Sequence, residues 1–283
     1  MQKNRRDLFF YFGVPIGDSV IILATSKLIC LKLRMPLRNT YLLLLLITSL
    51  IACRSTSTIE KVETSQYIMS DSANPKIDSA LWKMVDPYRV QLSKTMSETL
   101  AISAQMLTKE TPEGLLGNFA ADACASVIKA SGKYTVDFTV LNNGGLRTSL
   151  PSGSLILSNI FELMPFENEL VILTLDGKTT GELLNYIAAK GGVPVSGIRM
   201  KINDKKVISA EIGENKYDST ATYNILTSDY LAGGGDNMNF LLSTKKKEIT
   251  NIKVRDAMIQ YLHDLSKKGE PLVVVKDGRI RNL

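Results

Sequence analysis

The segment Asn142-Asn143-Gly144-Gly145-Leu146-Arg147 closes the apolar run Phe138-Thr139-Val140-Leu141, and its residue types suit the close approach of a small polar ligand. Glycines carry no Cβ, so backbone can come near a bound molecule there. The Arg147 guanidinium offers paired donors to an anion or a sugar. Alone, such a segment is more often a glycine turn with a surface arginine. Three further segments change its weight. Gly117-Asn118 opens an apolar helical stretch, where Asn118 is placed to cap the helix start. Met164-Pro165-Phe166-Glu167-Asn168 is a loop whose Phe has no strand or helix face to join. Phe166 suits stacking on a base and Asn168 suits hydrogen bonds to a base edge, although a loop aromatic tucked into the core is the commoner case. Finally, Tyr223 to Leu226 run into Thr227-Ser228-Asp229-Tyr230-Leu231-Ala232-Gly233-Gly234-Gly235-Asp236. Tyr230 gives a second aromatic face, Gly234 and Gly235 permit tight backbone, and Asp236 can accept from ribose hydroxyls. Together these residues make a coherent nucleoside pocket.

The elements that must position them can be read from periodicity. Helical spacing runs from 79 to 107, with Pro87 placed to kink or divide it. Thr111-Pro112-Glu113-Gly114 breaks the pattern, and a second helix follows from Leu116 to Ala130, with Ser131-Gly132 as its C-cap. β-rich runs appear at 135–141, 155–157, 169–175, 197–202, 206–212 and 222–227. Helices are expected at 158–163, 178–189 and 251–267, and Leu272 to Val275 reads as a closing strand. This alternation predicts one α+β domain, a single layered body over 79–283 with a mixed sheet and flanking helices.

The chain has 283 residues, 45% of them hydrophobic and 22% charged, an ordinary globular composition. Its formal charge of +6 is misleading. Of the 34 basic and 28 acidic residues, seven and two fall in 1–52, which leaves 27 against 26 in 53–283. A body that close to neutral gives no electrostatic argument for nucleic acid as a partner.

The excess positive charge belongs to a leader. Met35 to Arg38 is a short basic opening, Tyr41 to Ala52 is apolar, and Leu50-Ile51-Ala52-Cys53 precedes a polar Ser/Thr stretch. This resembles a bacterial lipoprotein signal, with 35–52 as the signal peptide, Cys53 as the lipid-bearing residue and 53–78 as a tether. Residues 1–34 read as translated upstream sequence before Met35. A membrane-anchored position in the bacterial cell envelope, periplasmic or surface-facing, follows as an expectation. Cys30 and Cys53 lie in the leader, and Cys124 sits in an Ala-rich helical face that suits core packing.

Gly117-Asn118…Asp122, Asn142…Gly144-Gly145-Leu146-Arg147, Pro165-Phe166…Asn168, Asp229-Tyr230…Gly234-Gly235-Asp236 and the closing Asp277-Gly278-Arg279-Ile280 stand in an order that resembles the C-terminal domain of bacterial 5′-nucleotidases. The resemblance covers roughly 80–283. It implies that this domain is a substrate-specificity half, with Phe166 and Tyr230 sandwiching the base, Asn168 on the base edge, Asp236 on ribose hydroxyls and Arg147 near ribose or phosphate. Asn118, Asn142, Asn143, Gly144, Gly145, Gly234 and Gly235 would support those loops. Glu167 stands where the family usually has glycine and is expected to place a carboxylate near the pocket, and Tyr230 stands where many members have Phe, which preserves stacking. The arginines that often precede the Gly-Asn motif are missing, and Lys109 is the nearest cation.

Hydrolysis in that family occurs in an N-terminal metallophosphoesterase domain, where two metal ions activate water. Such a centre needs several His and Asp ligands, and this chain has one histidine, His263. The expectation is therefore a nucleoside- or nucleotide-recognising half with no catalytic residue and no cofactor of its own. A separate metallophosphoesterase chain would bring the divalent metals. The alternatives are a stand-alone nucleoside-binding lipoprotein and an inert scaffold.

Overall fold

The computed structural model describes residues 64–65, 78–244 and 246–283. The chain divides into two units, Met1–Asn74 and Pro75–Leu283, and the second holds all the elements below. The expected leader, Cys53 and nearly all of the tether lie outside the described residues. Among the described residues no helix is long and apolar enough to cross a membrane.

Helix α1 (Ser79–Met96) starts at Asp78, whose carboxylate accepts from the Ala80 and Leu81 amides. It runs through Pro87 as one helix, so the expected division there does not occur. The helical pattern also ends early: Thr99–Ser103 is strand β1, which pairs antiparallel with residues 153–156. Helix α2 (Leu115–Ala130) buries Leu116, Phe119, Ala120, Ala123, Cys124 and Val127, a helical stripe facing the core. The αL glycine just beyond it is Gly132, as the sequence suggests.

Strand β2 (Phe138–Val140), β3 (Gly153–Ile156), helix α3 (Leu157–Leu163), β4 (Glu169–Asp176) and helix α4 (Gly177–Ala189) follow. Then come β5 (Val195–Ser196), β6 (Ile198–Asn203), β7 (Lys206–Ile212), β8 (Asn215–Lys216), β9 (Thr222–Ser228) and the single turn α5 (Asp229–Ala232). Strand β10 (Lys246–Lys253), helix α6 (Val254–Lys267) and β11 (Ile280–Asn282) complete the chain.

The central sheet has the order β10-β4-β9-β2-β5. It is mixed, because β2 and β9 are parallel while β4 pairs antiparallel with β9 and β10. Its two faces feed two cores. Leu170 and Ile172 of β4 join α2 and α6 in one, and Val171, Leu173 and Leu175 join α4 in the other. A two-stranded β1–β3 pair and a smaller β11-β6-β7-β8 sheet flank the centre. This is the expected mixed α+β architecture.

The segment 272–275 corrects the sequence reading. Leu272 and Val274 are buried and Val273 and Val275 exposed, a strand-like alternation, but only Leu272 bridges to Ser103. Leu272 alone makes backbone bonds there, to the Ile102 carbonyl and from the Ala104 amide, and beyond it side chains hold the segment: Gln105 donates to the Val274 carbonyl and Asn118 to that of Val275. Strand pairing comes later, at β11.

Candidate functional site

The sheet topology brings three loops together. Because β2 and β9 run parallel side by side, the chain leaves both at the same end. Strand β4 runs opposite to β9, so it enters the sheet at that end. Ligands of mixed and parallel sheets gather outside the carboxyl ends of such strands. Here the three loops are the ones singled out from sequence.

They enclose a cleft of about 310 Å³. Asn142, Gly144, Gly145 and Arg147 line it from the loop after β2, Phe166 and Asn168 from the loop before β4, and Tyr230 and Asp236 from the region after β9. Phe166 is 41% exposed and Tyr230 45%, so neither large ring serves the core. Exposed aromatic faces beside polar groups are what a planar ligand requires.

Asp236 is the hub. Asn142 donates through Nδ2 to its Oδ2 (2.8 Å), and the Tyr230 hydroxyl donates to its Oδ1 (2.8 Å). Its own amide donates back to the Tyr230 oxygen (3.2 Å), and its carbonyl accepts from the Tyr186 hydroxyl (2.9 Å). Burial, then the Asp236 charge, raises the Tyr186 pKa and keeps that phenol a donor. The glycines before it are steric necessities: Gly234 has φ +86°, and a Cβ on Gly235 would meet the Tyr230 ring at 2.5 Å.

Asn168 donates to Asp229 Oδ1 (2.9 Å), which also accepts from the Tyr230 amide (2.7 Å). The Asn168 carbonyl accepts from the Val254 amide (2.9 Å). This ties the Phe166 loop to both α5 and α6. Glu167, expected to place a carboxylate near the pocket, instead turns to Lys253 and Arg255. Hydrogen bonds from Lys253 and then Arg255 hold its carboxyl down at about 2. The Arg255 guanidinium is buried and lies 4.2 Å from the Phe161 ring centroid. No glycine-to-glutamate change read from sequence alone announces that pairing, since its partners are 86 and 88 residues away.

Asn118, Asn143, Lys109 and Cys124 do not line the cleft. Asn118 is no cap: Gly114 precedes the helix, and buried Asn118 bridges Glu113 (2.8 Å) and the Val275 carbonyl (2.9 Å). Asn143 reaches the Gly192 carbonyl at 3.4 Å. Arg147 is exposed and donates weakly to the Gly144 carbonyl (3.3 Å), leaving most of its fork open toward the cleft. Lys109 donates to the Leu146 carbonyl (2.9 Å), bracing the turn. Cys124 is fully buried and burial pushes its thiol up to about 12, which leaves it a core residue.

Among the described residues no three His, Cys, Asp or Glu are placed to hold a metal ion. His263 lies on α6, 3.8 Å from Glu98. The donor set of the described residues does not fit a dinuclear metal centre.

The model of the 5′-nucleotidase C-terminal domain matches residues 93–243, more than half of the chain. An apyrase from Tabanus yao is 28% identical over 65% of this chain and 38% of its own length. A 5′-nucleotidase from Vibrio cholerae is 28% identical over 57% of this chain and 30% of its own. The chain thus spans well under half of these relatives. Among solved structures, the 5′-nucleotidase precursor of Thermus thermophilus shares the fold at a TM-score of 0.62 and 24% identity, over 73% of this chain and 43% of that one. The chain belongs to the 5′-nucleotidase C-terminal domain family.

Proposed function

We propose that this chain is the nucleoside-recognising half of a 5′-nucleotidase-type phosphohydrolase, and that a metallophosphoesterase partner supplies the metals and the attacking water. The observation that carries the reading is the gathering of Phe166, Tyr230, Asn168, Asp236 and Arg147 around one cleft. Its volume of about 310 Å³ lies at the lower end of the roughly 300–1,000 Å³ typical of small-molecule sites. In this reading the base stacks on Phe166 and Tyr230, the Asn168 amide meets the base edge, and the Asp236 carboxylate accepts from ribose hydroxyls. Arg147, with open donors, meets the ribose or a phosphate. Holding the nucleoside this way would set the phosphate before the partner's metals, a contribution of position rather than bond-breaking.

Helix α1 supports a docked partner over a solitary binder. Leu81, Met84, Val85, Tyr88 and Leu92 fall on one side of the helix by their spacing, and each is more than half exposed. The helix lies at the N-terminal edge of the family match, and the chain covers only 38% of the apyrase. Lipid attachment at Cys53 would hold the assembly at a bacterial membrane, and it is proposed with the same partner in mind.

The test is calorimetric titration of the purified chain with ribonucleosides and 5′-mononucleotides, with phosphate release measured in added divalent metal. Saturable binding without phosphate release is expected. Turnover by the pure chain would remove the need for a partner, and absence of binding at millimolar ligand would remove the pocket.

A further inference from the structure

The tyrosine at 230 does more than present a ring. Its hydroxyl donates to Asp236 Oδ1 at 2.8 Å and accepts from the Asp236 amide at 3.2 Å, closing a ring of bonds around one residue. Asn142, from a different loop, holds the other carboxylate oxygen at 2.8 Å. A carboxylate has about four acceptor positions, so one further position remains open on each oxygen. With both oxygens pinned, the carboxylate plane cannot rotate. Two adjacent acceptors in a fixed plane match the two neighbouring hydroxyls of a cis-diol, while a freely rotating carboxylate must be ordered on binding.

The backbone points the same way. Asp236 and Asn237 have φ of 52° and 69°, two consecutive non-glycine residues in the left-handed region. Such conformations persist where the surroundings over-determine them, and they concentrate at ligand sites. Here every polar group of Asp236, amide, carbonyl and both carboxylate oxygens, has a protein partner.

We propose that the Tyr230 hydroxyl is a positioning group for sugar selectivity: through Asp236 it makes the cleft discriminate a ribose cis-diol from ligands that lack one. A phenylalanine at 230 would retain the stacking face and lose this discrimination. The inference rests on the nucleoside reading of the cleft.

The experiment compares wild type and Tyr230→Phe by calorimetry against three probes: adenosine, 2′,3′-dideoxyadenosine and adenine. Wild type should prefer adenosine to the dideoxy compound. Tyr230→Phe should weaken adenosine by about tenfold, in the range of a hydrogen bond to a charged group, and leave adenine and dideoxyadenosine within about twofold. Asn142→Ala, which frees the other oxygen from a separate loop, should show the same pattern, so a folding defect in one variant does not decide the matter. Equal weakening of all three probes would reduce Tyr230 to a structural or stacking role and overturn the proposal. An unchanged adenosine affinity would overturn it too. A wild type that binds adenine and the dideoxy compound as well as adenosine would refute the diol role while leaving a base-binding cleft. A wild type that binds none of the three removes the nucleoside reading itself, and the proposal with it.

Discussion

Asp236 and Phe166 illustrate what a single residue type can and cannot tell. Phe166 was legible because an apolar ring in a Pro-bearing loop has no face to join, and the structure leaves it 41% exposed in the cleft. Replacing it by alanine should cost about 1–3 kcal/mol of nucleoside binding, the usual worth of one stacked base, while thermal unfolding stays unchanged within a degree or so because no core contact is lost; calorimetry and a melt together check this. The engagement of Asp236 by Tyr230 and Asn142 was not legible, since the partners lie in loops joined only by the sheet. Asn118 misled for a related reason. An amide near a helix start resembles a cap, but the helix begins earlier and the amide is recruited to fix a distant segment. Glu167 yields a pH prediction. Its carboxyl is held at about 2 against an ordinary 4.5, by Lys253 first and Arg255 second. A depressed carboxylate contributes stability that is fully present above its unfolded value and is lost as pH falls through the folded one. Glu167→Gln should therefore flatten the acid dependence of unfolding between pH 4.5 and about 2, read from urea midpoints across that range.

At the scale of elements, the three loops meet because β4, β9 and β2 are neighbours with the directions they have. Periodicity located these strands, but the order β10-β4-β9-β2-β5 depends on pairings across as many as 87 residues, from Phe138 to Ile225, which no local pattern encodes. The closing strand was misplaced because alternation at 272–275 reflects one buried face, not a ladder. What secures that end is a charge cluster around the buried Arg279. Arg279 donates to Asp122 at 2.8 and 3.0 Å, to Asp277 at 3.0 Å and to the Val195 carbonyl at 2.8 Å. Burial opposes its charge, yet the bonds from Asp122 and Asp277 prevail and raise its pKa. Glu113 meanwhile accepts from the Asn118 amide and from the Asp277 and Gly278 backbone. Removing the guanidinium costs its hydrogen bonds, but Asp122 and Asp277 are each more than a third exposed and water can solvate them, so Arg279→Ala should destabilise the fold by about 1–3 kcal/mol, measured by urea unfolding. Nucleoside affinity of the folded fraction should hold, because the cluster does not line the cleft.

The whole molecule pairs a binding cleft with an unburied helix. Not one residue of α1 is buried, although its apolar side would be a liability on an isolated surface. Leu81→Ser with Val85→Ser should leave unfolding free energy within about 0.5 kcal/mol, as for other exposed sites, and leave nucleoside affinity unchanged. If a metallophosphoesterase docks there, the same pair of substitutions should abolish its contribution to phosphate release in a mixed assay. The proposed division of labour rests on composition: two loop aromatics and an aspartate suited to recognition, and one histidine in 283 residues against the several a metal centre needs. The most direct test is titration of the purified wild-type chain and Phe166→Ala with adenosine and adenosine 5′-monophosphate, with phosphate followed in added Mn²⁺ or Zn²⁺. The account predicts saturable binding that Phe166→Ala weakens by about 1–3 kcal/mol and no phosphate release. Metal-dependent turnover by the pure chain, or no binding at all, would contradict it.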